Sequence, residues 1–313
     1  MSLTGKTVSS IIYTGSTKLV ERGLGMISML ILARILTPED FGLVAICSLA
    51  VFLFNSLSNV GAKQYIVRSE IVDDDVINTA WTLNIFIKGT IWLIFFIFTP
   101  YIADVMGKAE IETPLRVLSI ILIVGCFGNP GVWIMARNLN YKPLFKIDVF
   151  SKILSFIVVL LIAYFERTYW AMIVGLVLQY LLPSIISHLI CSHKPKFKLT
   201  NVRHQLKFSQ WVVANGIIGY ARGEGDSILV AKYFSLEMIG VYSLFKSLAS
   251  MPLTQLIAPA TDPILATFSS AIRDDDFHPY QLNTVLFILL SLVVPLTILM
   301  TYFDQEIVLL LLG

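Results

Sequence analysis

The chain has 313 residues, 56% hydrophobic and only 14% charged, with a mean hydropathy of +0.78. Ordinary soluble domains carry about 25% charge, and 23 Lys and Arg with 21 Asp and Glu could not cover the surface of a soluble protein of this length. The composition therefore excludes a soluble enzyme, a disordered chain and a disulfide scaffold, and the net charge of +2 gives no basis for a nucleic-acid partner.

A membrane-crossing helix needs about 20 mostly apolar residues, at about 1.5 Å each across a hydrocarbon core of about 30 Å. Met1–Ser10 is polar and the apolar stretch after it is too long for a signal-peptide core, so a first span is expected there, over Ile11–Leu36. The same ruler gives further spans at Phe41–Ala62, Thr79–Ala103, Leu115–Ala136, Ile147–Phe165 and Trp170–Cys191. It then gives Phe208–Phe234, Ile239–Pro263 and Tyr280–Phe303. The expected fold class is all-α, a polytopic membrane protein with about nine membrane helices. Prolines and glycines inside the spans, such as Gly125, Pro130 and Pro183, are tolerated where neighbouring helices satisfy the freed backbone groups. Cys47, Cys126 and Cys191 stand singly in apolar runs and suggest neither metal nor disulfide.

Lys and Arg between the spans set the orientation. With the N-terminus in the cytoplasm, twelve fall on the cytoplasmic side, densest over Lys194–Lys207, and five on the outer side. Asp73–Asp75 and Asp274–Asp276 precede spans and are expected to cap helices rather than hold a metal-bound diphosphate. Trp81, Tyr101 and Tyr169 lie near span ends and read as interfacial anchors. His188, His193, His204 and His278 form no metal-binding spacing.

The chain repeats itself. Ala33–Gly42 (ARILTPEDFG) aligns with Ala231–Gly240 (AKYFSLEMIG), the first Asp triplet with the second, and Ile102–Gly107 with Val308–Gly313. Ordered landmarks of this kind mark a duplication. They give a six-helix lobe over residues 1–198 and three helices of a second lobe over 199–313, with about ninety residues of the second lobe expected beyond Gly313. Six spans is an even number, so the lobes should be related by an axis along the membrane normal, with a cleft between them.

Ionisable residues inside spans cost about 2.5–3.5 kcal/mol each on insertion scales and usually face a cavity or a partner. The first span holds Lys18, Glu21 and Arg22; the seventh holds Arg222, Glu224 and Asp226. Lys18 and Arg22 share one helical face, as do Arg222 and Asp226, and the repeat puts Arg22 and Arg222 at similar depth. The bland alternative is internal pairing, Lys18 with Glu21 and Arg222 with Asp226. Lys246 replaces Ser48 of the first lobe and is a candidate for the cleft; Lys88 is similar, and Lys152 is expected to snorkel.

Leu32–Leu43 (LARILTPEDFGL), Asp226–Phe234 (DSILVAKYF), Gly240-Val-Tyr-Ser and Pro252–Pro259 together resemble the Wzx-type polysaccharide flippases. That group, which includes colanic-acid and O-antigen repeat-unit exporters, lies within the multidrug/oligosaccharidyl-lipid/polysaccharide exporter superfamily. The resemblance implies a non-enzymatic transporter of the bacterial cytoplasmic membrane that moves a polyprenyl-diphosphate-linked oligosaccharide by alternating access. It also implies membrane lipid, a coupling proton or sodium ion and a polysaccharide polymerase as partners, and no cofactor. Arginine matches phosphate oxygens with a planar fork, so Arg22 and Arg222 are expected to bind the diphosphate, with Lys18 and Lys246 adding positive potential. Glu21, Glu224 and Asp226 would be counter-ions or coupling sites. The alternatives are a cation-coupled drug antiporter of the same superfamily and a membrane-embedded glycosyl- or phospho-transferase.

Overall fold

The computed structural model describes residues 3–69, 71–200, 202–252 and 279–303, which contain helices and no strand. In chain order the helices are α1 (Leu3–Ile35), α2 (Pro38–Ser58), α3 (Ala62–Arg68), α4 (Asp74–Val105), α5 (Glu112–Val124) and α6 (Gly131–Arg137). They continue as α7 (Tyr141–Glu166), α8 (Trp170–Ile190), α9 (Val202–Tyr233), α10 (Leu236–Pro252) and α11 (Pro279–Tyr302). The chain divides into two compact units, Met1–Val241 and Tyr242–Gly313.

The helix ends follow from local chemistry. Thr37 caps α2 through a reciprocal pair with Asp40, and Pro38 occupies the first turn, where its missing N–H is no loss. Asp73 accepts from the Val76 N–H at 2.8 Å, so the first Asp triplet caps α4 as its sequence suggests. The second triplet lies outside the described residues. Between α2 and α3 the chain turns at Gly61, whose φ of +64° is a left-handed conformation that suits glycine. The expected second span is thus a helix ending at Ser58, a turn and a short helix.

The fourth expected span departs further. It is a bent pair: α5 passes through a 3-10 turn at Gly125–Phe127, and after Pro130 the chain restarts as α6 at 63° to the first part. Two glycines and a proline within six residues explain the break, because Gly125 and Gly128 weaken the helix and Pro130 has no N–H to continue it. Among the described residues, Pro38–Arg68, Asp74–Val105, Tyr141–Glu166 and Trp170–Ile190 are long and apolar enough to cross a membrane, and the bent pair would make a fifth. α1 and α9, which carry the charge triads, fall outside that set. The eighth expected span is described only as far as Pro252.

Large apolar side chains face outward along the helices. Phe86, Ile97, Leu161 and Ile218 are all more than half exposed, as hydrocarbon-facing residues of a membrane protein are. The interior of the first unit instead uses small residues to bring backbones together. Ser155 of α7 donates to the Gly175 carbonyl of α8 at 3.2 Å, and a Cβ on Gly175 would collide with Val159. Ala163 and Ala171 are fully buried where the same helices meet. A larger core joins Leu43, Val44 and Ile46 of α2 to Phe95, Leu115, Leu118, Ile173, Ala231 and Ile239. In the second unit, α11 carries exposed Phe287 and Leu290.

After α8, residues 192–200 run as an extended strap against α4. The strap's Lys196, Lys198 and Thr200 N–H groups donate to Asn78, Thr82 and Thr79, and Lys198 pairs with Asp75 at 2.6 Å. Phe197 packs on Trp81, whose indole N–H donates to Gly128 at 3.0 Å. Trp81 is buried, so it holds the strap and the α5–α6 break together; it is not the interfacial anchor its position near a span end suggests.

Candidate functional site: a charged cavity between the first, seventh and eighth helices

The break after α5 leaves space inside the first unit. A cavity of about 430 Å³ is walled there by Gly125, Cys126, Gly128 and Trp133, and closed by α1, α7 and α8. From α1 come Thr14, Thr17, Lys18 and Glu21, which recur at three- and four-residue intervals and so occupy one face. From α7 come Tyr141, Phe145 and Asp148, again one stripe, and α3 contributes Lys63. Tyr13 packs on Phe145, ring centroids 5.7 Å apart, and Ser10 donates to the Leu139 carbonyl at 2.9 Å, which fixes α1 against the start of α7. α8 contributes Gln179, Tyr180, Pro183 and Ser184. Pro183 has no N–H, so the Gln179 carbonyl lacks the donor an unbroken helix would give it.

A second cavity of about 330 Å³ shares Gln179 with the first and is mostly apolar, lined by Leu24, Met29, Leu32, Phe41, Val44, Phe156 and Leu176. Lys152 also lines it and lies within electrostatic reach of Glu21. This corrects the snorkelling expectation: Lys152 is half-buried and faces the interior of the unit. Lys88 of α4 donates to Asn55 at 3.4 Å.

The predicted residues are distributed unevenly. Lys18 and Glu21 both line the first cavity, and among the described residues no ion pair within 4 Å joins them, so the simple internal pair is not formed. Lys63 and Asp148 share the cavity wall with them. Arg22, one residue on, is half-buried and turned about 100° away around the helix axis from Glu21. On α9, Arg222 and Asp226 are exposed and Glu224 is half-buried, accepting from the Ser227 hydroxyl at 2.9 Å. Lys246 is half-buried and belongs to the second unit. Asp148 and Lys63 are site residues that sequence reasoning missed. Their signal was present: Asp148 stands four residues before Lys152 on one face of an apolar helix, and Lys63 directly follows a helix restart.

α9 lies along α2. Tyr220 donates to the Leu49 carbonyl at 2.6 Å, and Ser209 to the Val60 carbonyl at 2.8 Å. Lys108, in the turn after α4, reaches the Ala231 and Phe234 carbonyls at 3.1 and 3.3 Å, satisfying groups that the end of α9 leaves open.

Residues 31–313 match the family described as polysaccharide biosynthesis protein. The chain belongs to that family. A lipopolysaccharide biosynthesis protein of Escherichia coli K12, WzxC, is 24% identical over 283 residues, covering 88% of this chain and 56% of the relative. The succinoglycan biosynthesis transport protein ExoT of Rhizobium meliloti is 22% identical, covering 80% of this chain and 51% of its own. The teichuronic acid biosynthesis protein TuaB of Bacillus subtilis is 19% identical, covering 63% and 42%. The chain thus spans about half the length of the curated relatives it matches. No solved structure matches it significantly. Family membership and the apolar helices agree with the Wzx-type resemblance read from the sequence, and make this a multi-pass membrane protein of a polysaccharide biosynthesis and transport family.

Proposed function

We propose that this protein moves a polyprenyl-diphosphate-linked oligosaccharide across the bacterial cytoplasmic membrane, without covalent chemistry, by alternating access between two repeat-related lobes of residues 1–198 and 199–313. The observation that carries the reading is the charged cavity that α1 forms with helices of membrane-spanning length, with Lys18, Glu21, Lys63 and Asp148 on its wall, in a chain whose relatives are named for polysaccharide synthesis and transport. A diphosphate cannot enter hydrocarbon unaided, and the exposed Lys18 and Lys63 on the cavity wall are placed to attract it.

Arg22 and Arg222 present guanidinium forks for the diphosphate, supported by Lys18 and Lys246. Glu21, Glu224 and Asp226 balance these cations when substrate is absent, and one of them takes the coupling proton or sodium ion. Asp148 joins that set by its place on the wall of the same cavity. The N-terminus is cytoplasmic, and a polysaccharide polymerase receives the exported unit. Lysines beside the two cavity carboxylates weigh against a cationic drug as substrate.

The test is export of polymer in cells lacking their own flippase. Arg22→Gln and Arg222→Gln should keep normal membrane abundance and lose export at least tenfold, with partial recovery in the Lys variants. Wild-type export by both Gln variants at normal abundance would overturn the reading.

A further inference from the structure

The two repeat motifs meet. Gly42 is the fifth residue of α2 and Gly240 the fifth of α10, 198 residues apart at matching motif positions, and both are buried. A Cβ on Gly42 would run into the Leu236 carbonyl oxygen, and a Cβ on Gly240 into the Pro38 carbonyl oxygen. Pro38 and Leu236 are themselves equivalent in the repeat. Each glycine therefore receives the same atom of the other helix's first residue, the reciprocity of a two-fold contact. The matching extends to the caps: Thr37 accepts from Asp40 at 3.3 Å, and its counterpart Ser235 accepts from Met238 at 3.4 Å.

No side chain separates the helices at this crossing. Backbone meets backbone, which leaves no gap for water, and Leu43, Val44, Ala231 and Ile239 form one buried cluster beside it. The start of α9 is joined differently, to the turn after α2 and to α3, through the Ser209 hydroxyl on Val60 and the Tyr65 hydroxyl with His204 at 3.0 Å. Side-chain hydrogen bonds exchange readily with water; a glycine crossing has nothing to put in its place.

We infer that the Gly42–Gly240 crossing closes one end of the route between the repeats, the end that the proposed topology puts outside, and that a transported molecule leaves only when it parts. The inference rests on the alternating-access reading above. Its parts are steric: glycine is required at both positions for closure, and the symmetric placement lets one motion open both contacts together.

Glu39 and Glu237 are exposed, equivalent in the repeat and one turn from the contact, so Glu39→Cys with Glu237→Cys gives a surface pair that removes no buried contact. With Cys47, Cys126 and Cys191 replaced by Ala and abundance confirmed, a short cleavable bis-maleimide should link the pair in the resting protein. Polymer export should fall at least tenfold and return on cleavage of the linker. A linked protein that exports at the unlinked rate, or a pair that does not link, would overturn the closure. Gly42→Ala and Gly240→Ala should each lower export at retained abundance, and wild-type export by both would count equally against it. If the unlinked protein exports nothing, the transport reading fails, and the closure is then judged by spin labels at the same two positions. In vesicles containing undecaprenyl diphosphate they should show a second, longer distance, and a single unchanged distance would overturn the closure.

Discussion

The sequence repeat aligns α1 with α9, and each carries a triad of charges within its apolar stretch, yet the two triads have different surroundings. On α1, Lys18 and Glu21 line a cavity to which α3 and α7 add Lys63 and Asp148; the two carboxylates are half-buried there and the two lysines are exposed. On α9 the helix lies along α2, leaving Arg222 and Asp226 exposed, while Glu224 is held by Ser227. The contrast has a physical origin. α1 packs on α7, whose face toward it carries Asp148 and Lys152; α2, the partner of α9, offers a face of Leu, Val, Ala and Phe with no acid or base along Phe41–Ser58. Lys18, Glu21 and Arg22 sum to +1 and Arg222, Glu224 and Asp226 to −1, and the neighbouring helix sets the surroundings of each triad.

The largest effect that would break this comparison is loss of the α7–α8 packing that shapes the α1 cavity. Gly175→Leu should overpack against Val159, at a cost of about 1–3 kcal/mol or more, and lower membrane abundance several-fold. Val159→Ala in the same chain should recover part of it. By contrast Gly216→Ala, whose Cβ would sit 3.5 Å from the Ser56 carbonyl of α2, should be tolerated. Immunoblots of purified membranes report both.

The charges themselves sharpen the contrast at a smaller scale. Asp148→Asn removes a carboxylate from among Lys18, Lys63 and Glu21, so both abundance and polymer export should fall. Asp226→Asn, at an exposed position, should leave abundance within twofold and act on export alone. Equal loss of abundance in the two variants would erase the distinction between the helices.

Much of this architecture was legible from residues alone. Apolar runs located the helices, because span length follows from membrane thickness, and the motif that ends in Gly42 and Gly240 located two matching helix starts. The bend at Gly125–Pro130 was not legible, since a hydropathy ruler sums composition and is blind to a proline's missing N–H in a run that remains apolar. Asp148 was missed for a related reason: near a span end a charge looks solvated, and only the packing of α1 on α7 turns it inward; Lys63 stays exposed, and only the fold brings α3 to the cavity wall. Trp81 shows the same effect in an aromatic side chain, because the strap of residues 192–200 covers it. The smallest expected effect lies there: Trp81→Phe loses the hydrogen bond to Gly128 and should lower stability by about 1 kcal/mol, read as a modest drop in melting temperature in detergent.

The central claim, that charges on both helices serve a lipid-linked anion, is tested most directly by translocation in proteoliposomes. Labelled undecaprenyl-diphosphate-linked saccharide is placed in one leaflet and its arrival in the other is read with an impermeant glycosidase. The account predicts protein-dependent arrival that falls at least tenfold in both Arg22→Gln and Arg222→Gln. Arrival no faster than in protein-free vesicles, or unchanged in both variants, would contradict it.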